Sequence, residues 1–158
     1  MRLRPLATAA AVFALAAPLS SCGFDAATER EYDVNGAAEN REGTVDVLSA
    51  VVVSGNAGSG TFIASLSNND LSDEQSLTGV TGAEGAPIEP ADFEPVTVAP
   101  GGFVNLAEPP AAIVLTGDFE AGDFLPLSVD FGNGERISLN VPVVPDNDDA
   151  YWEGLDVS

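Results

Sequence analysis

Apolar residues recur at every second position late in the chain: Leu125, Leu127, Val129 and Phe131, then, beyond Gly132-Asn133-Gly134, Ile137, Leu139, Val141 and Val143. That period puts alternate side chains on one face of a strand. Asn133-Gly134 supplies the positive φ angles of a tight turn, so the two runs are predicted to pair as an antiparallel hairpin with one face buried. Residues 45–54 are rich in Val and carry apolar neighbours on both faces, as a strand in a sandwich interior does. Residues 60–67 alternate through Phe62, Ala64 and Leu66 until Asn68-Asn69-Asp70 breaks the run. Weaker strands are predicted at 76–81, 93–98, 103–106 and 112–116, with a loop of Gly, Pro and acid at 82–90 and a break at Glu108-Pro109-Pro110. No segment in this part of the chain sustains a helical period. Short β-rich runs between turn residues predict an all-β sandwich or barrel over 44–145, enough chain for one core and too little for two.

The beginning of the chain follows another pattern. Arg2 and Arg4 precede an almost wholly apolar run over 6–19, and small residues lead into Cys22, the sole cysteine. Leu19-Ser20-Ser21-Cys22 resembles a bacterial lipobox, in which cleavage precedes the cysteine and its sulfur takes a diacylglycerol. The alternative is an ordinary secretory signal with a chance cysteine. The lipobox reading makes 1–21 a lipoprotein signal peptide and Cys22 the site of lipid attachment. It places the protein at the cell membrane, lipid-anchored and facing the extracytoplasmic side. The apolar run is shorter than the roughly 20 residues a membrane-spanning helix needs, whereas anchoring by two or more acyl chains is stable. Residues 22–43 then read as a flexible acidic tether with few large apolar side chains, about 20 residues long with a reach on the order of 25 Å.

Charge narrows the classes of partner. The chain has 5 Lys+Arg, all of them arginine, against 25 Asp+Glu. Removal of Arg2 and Arg4 with the signal would take the formal net charge from −20 to −22. Such a surface argues against nucleic acid, whose phosphates are met by Lys and Arg, and against anionic lipid headgroups. Its plainest use is solubility. With no His, no Lys and its only Cys lipidated, the mature chain would lack the groups for triads, Schiff bases or the usual zinc chemistry. Carboxylate pairs alone remain, and among 25 acids a pair arises by chance. No catalytic residue, no cofactor and no enzymatic activity are therefore expected.

Asp146, Asn147, Asp148 and Asp149 cluster as calcium ligands do, but the EF-hand spacing fails at Ala150 and Tyr151, so the run reads as a solvated tail and no metal site is assigned. Within that acidic tail, 146–158, Tyr151, Trp152 and Leu155 either fold back over a sandwich edge or dock on a partner. Arg136, beside the turn, is placed to pair with Glu135 or Asp130.

Gly60-Thr61-Phe62-Ile63-Ala64-Ser65-Leu66-Ser67-Asn68-Asn69 resembles the strand and Asn-containing turn that open the PCu(A)C family of extracytoplasmic copper chaperones. Val98-Ala99-Pro100-Gly101-Gly102, Leu106, residues 113–117, Gly122-Asp123 and the closing hairpin to Val144 follow the later half of that pattern. With the lipobox, the chain resembles the family's actinobacterial lipoproteins. The resemblance implies a cupredoxin-like Greek-key β-sandwich. Family members hold Cu(I) with Met and His, two of them as His-x-Met, where this chain has Ala112-Ile113-Val114; the earlier His and Met fall in a loop that here offers Gly, Glu and Pro. Cu(I) prefers soft thiolate, thioether or imidazole ligands, so the fold is expected without its copper site. The function expected is binding or scaffolding at the cell envelope through a protein partner, the alternative being an accessory role in copper handling or copper-oxidase assembly through a partner's ligands.

Overall fold

The structure, a computed structural model, describes residues 36–146, 152 and 154–157. Residues 1–35, and with them Cys22 and the lipobox, lie outside the described residues, as do Asn147, Asp148, Asp149 and Tyr151. Among the described residues ten strands run in chain order: β1 (Ala38–Asn40), β2 (Val45–Asn56), β3 (Ser59–Asn68), β4 (Gln75–Gly82), β5 (Glu89–Pro90), β6 (Val96–Val98), β7 (Phe103–Asn105), β8 (Val114–Thr116), β9 (Phe124–Phe131) and β10 (Arg136–Pro145). Hydrogen bonding follows the order β5-β8-β3-β2-β10-β9-β4-β6, with β1 added to β2 and β7 to β3.

Two layers arise because β10 belongs to both. Arg136 to Pro142 pair antiparallel with β9, whereas Val143 to Pro145 run parallel to Val52–Ser54 of β2. One layer therefore holds β5, β8, β7, β3, β2 and β1, and the other β9, β4 and β6. The β9–β10 hairpin is inserted between β2 and β4, so β3 and β4, consecutive in sequence, lie in different layers. This is the sandwich that the alternation predicts, in the Greek-key order that the resemblance implies. Between the layers the inward side chains of β2, β3, β9 and β10 meet: Val45, Val47, Val52, Phe62, Leu66, Leu127, Val129 and Val141 are each 0% exposed.

Several boundaries differ from the sequence reading, each for a local reason. The domain starts before Thr44. Ala38 and Asn40 of the expected tether pair with Ala50 and Val47 as β1, a three-residue polar edge strand that carries no period of its own. The strand predicted over 93–98 is confined to Val96–Val98 by Pro95, which lacks the N–H a ladder uses. The loop over 82–90 ends in a two-residue strand, β5. In the 132–134 turn Gly134 has φ +86° and Asn133 is not left-handed. The Phe131 N–H donates to Glu135 O at 2.9 Å, and Gly134 N–H to Phe131 O at 2.9 Å. The connection is thus a three-residue loop closed by one left-handed glycine. Arg136 pairs with Asp130 across the hairpin, Nε to Oδ1 at 2.5 Å. That hydrogen bond, and then the Asp130 charge, hold the guanidinium above its ordinary pKa. Glu135 instead receives the Thr44 N–H on both carboxylate oxygens, at 3.0 and 3.1 Å.

Asn68, a turn residue in the sequence reading, is 2% exposed. Its amide nitrogen donates to the carbonyls of Asp73, Val98 and Ala99 at 2.9, 3.2 and 3.1 Å, and its oxygen accepts the Asp70 N–H at 2.9 Å. One side chain thereby ties the end of β3 to the end of β6 in the opposite layer. Asn68→Ala would remove all four hydrogen bonds, one of them made in the interior to Val98 O, and should cost about 1–3 kcal/mol, read as a lower urea midpoint with an unchanged m-value.

Candidate functional site

The positions aligned with His-x-Met lie at the head of β8. Ala112 is exposed with φ +53°. Ile113 is fully buried and its carbonyl accepts the Phe62 N–H at 2.9 Å, while Val114, half-buried, stands opposite Thr61. The 82–90 loop comes alongside: Glu89 and Pro90 pair with Thr116 and Leu115, and the Ala91 N–H donates to Val114 O at 2.8 Å. Close approach of the loop depends on Gly117, since a Cβ there would lie 2.6 Å from Ile88 Cδ1 and 2.8 Å from Pro87 O.

The fold thus brings together the two segments in which the resemblance places copper ligands. At their junction Ala112 and Val114, the positions aligned with the ligands, carry no donor atom, and oxygen-bearing side chains stand one pair further along at Glu89 and Thr116. Among the described residues no three His, Cys, Asp or Glu side chains gather as a metal-binding group. Of the acidic run in the tail, Asp146 is described, and its N–H extends the β2 pairing by donating to Ser54 O at 3.1 Å.

Two features were not legible as sites. The first is a groove of about 400 Å³ where the layers part between β6 and β7. Val96, Val104, Leu106, Pro109 and Pro110 form its apolar lining, and Glu94 stands at its side. Residues from three separate segments meet there, so no local motif marks it. The second is the outer face of the β2–β3 pair. Val53, Thr61 and Ile63 point away from the core cluster yet are 0%, 1% and 7% exposed. The C-terminal segment runs over this face. Val157 O accepts the Gly55 N–H at 3.0 Å, Asp156 O accepts the Thr61 hydroxyl, and Trp152 lies beside Ser49, Ile63 and Asn105. Apolar residues on both faces of 45–54 were the available signal, and the second face turns out to be covered by the tail.

No family model matches the chain and no curated protein aligns with it. Solved structures do match in shape. The copper-bound PCuAC domain from PmoF2 superposes with a TM-score of 0.53 at 14% identity, covering 68% of this chain and 97% of that one. The apo PCuAC domain from PmoF1 gives 0.54 at 19% identity over 68% and 98% of the two chains. The protein is a cupredoxin-like β-sandwich, and among such sandwiches its fold is that of a PCuAC domain.

Proposed function

We propose that the chain is a lipid-anchored protein of the extracytoplasmic face of the cell membrane that uses a PCuAC-type sandwich to bind a partner protein and holds no copper itself. The observation that carries this reading is the junction of β8 with the 82–91 segment, built like a ligand-bearing corner but furnished with Ala112, Val114 and Ala91. Titration of the full chain in detergent micelles with Cu(I) is expected to show no stoichiometric uptake; tight one-to-one binding would overturn the loss of the site. The anchor is tested by Cys22→Ala. A diacylglycerol contributes about 0.8 kcal/mol for each buried CH₂, so the variant is expected to move from the membrane to the soluble fraction, and its retention in membranes would refute lipidation.

A second reading, assistance to a copper-binding partner that supplies all the ligands, is favoured by the structural likeness to a copper-bound PCuAC domain. Crosslinking of the protein in native membranes separates the two. A copper oxidase or copper transporter among the neighbours supports assistance, whereas unrelated envelope proteins support a plain interaction module.

A further inference from the structure

The groove lies between two strand edges, because among the described residues β6 pairs only with β4 and β7 only with β3. Its floor is aliphatic: Leu106 is 1% exposed, and half-buried Val96 and Val104 flank it. Pro109 and Pro110 close one end. Glu94 lines the groove and Glu108 directly precedes Pro109 in the chain; both are exposed. Neither has an ion-pair partner among the described residues, whose two arginines are held by Glu39 and Asp130 at 3.2 and 2.5 Å.

Charge decides what can lie there. A second copy of this chain would bring net charge −20 against an acidic rim. The chain's own tail carries acids at Asp146, Asp148, Asp149, Glu153 and Asp156, and its described part is bonded to the outer face of β2 and β3 instead. An anionic lipid surface is repelled for the same reason. We infer that the groove takes an extended basic segment of a partner protein, with aliphatic side chains between Val96 and Val104 and Lys or Arg side chains on Glu94 and Glu108. Edge strands recruit extended peptides through main-chain hydrogen bonds, while side-chain pockets set specificity, and complementary rim charges fix orientation and speed encounter.

This inference rests on the interaction-module reading and narrows its partner. The probe is a fluorescent hexapeptide of alternating Lys and Val, titrated against the full chain in detergent micelles. Its companion replaces each Val by Ser at the same charge. The Lys-Val peptide is expected to bind about tenfold more tightly than the Lys-Ser peptide, and Glu94→Lys/Glu108→Lys is expected to weaken it by at least about tenfold. Asp118→Lys/Glu120→Lys changes the net charge equally but lies near the opposite end of β3, and should weaken binding by no more than about threefold. All four substituted residues are exposed, so folding is preserved. Absence of binding, equal affinity for the two peptides, or equal effects of the two charge reversals would each overturn the groove as the site. Membrane neighbours crosslinked through another face would leave the interaction-module reading standing and remove this inference alone.

Discussion

Phe62→Ala is expected to lower the unfolding free energy by about 3–5 kcal/mol, the range for deleting a buried aromatic side chain when the cavity collapses only in part. Phe62 is 0% exposed in β3, opposite Val52 in the ladder, and its N–H holds Ile113 at the head of β8. The ring therefore supports both the core and the corner aligned with the copper ligands. A domain of this size has about 5–15 kcal/mol in total, and Cys22, the sole cysteine, leaves no disulfide to compensate. Urea denaturation of the variant is the check. A loss below about 1 kcal/mol would mean that the site repacks and that the core is not organised on β3.

How much of this was legible depended on whether a physical constraint was local. The pairing of β9 with β10 was legible, because a two-residue period and turn residues at Asn133-Gly134 specify it without the rest of the chain, but the turn was not, since of that pair Gly134 alone is left-handed. β2 and β3 are legible as strands, and the two apolar faces of 45–54 point to a sandwich interior, whereas the outer face of the β2–β3 pair meets the tail, with Ile63 beside Trp152 and Thr61 bonded to Asp156. β1 and β5 were missed since three-residue and two-residue edge strands bury too little to force a pattern. Asn68 shows the same limit in a polar residue: its letters mark a turn, while its four hydrogen bonds depend on Val98 and Ala99 arriving from the other layer. Ala112 and Val114 stand where the resemblance expects His and Met, and the structure adds that Glu89, Pro90 and Ala91 lie beside β8. The groove was not legible at all, because its walls meet only after both layers have formed.

Removal of residues 148–158 is the other change with a large expected effect, and it decides between the two roles that the aromatic tail allows. Val53, Thr61 and Ile63 face outward from the β2–β3 pair and have almost no exposure, and the described residues of the tail meet this face at both ends. Truncation exposes two aliphatic side chains, each contributing about 1.5–3 kcal/mol when fully buried. It also removes the Gly55–Val157 and Thr61–Asp156 hydrogen bonds, at about 1 kcal/mol apiece. The strands still shield part of that surface, so the net loss should be about 2–4 kcal/mol, seen as a markedly lower Tm. Thr61→Val isolates the hydroxyl: it keeps the shape, breaks only the bond to Asp156, and should reproduce no more than about 1 kcal/mol of the loss. If the truncated protein melts with the intact one but no longer captures its membrane neighbours, the tail is a docking segment that rests on β2 and β3 without stabilising them. A large drop in Tm with capture retained makes it a structural strap, and leaves recognition to the rest of the sandwich.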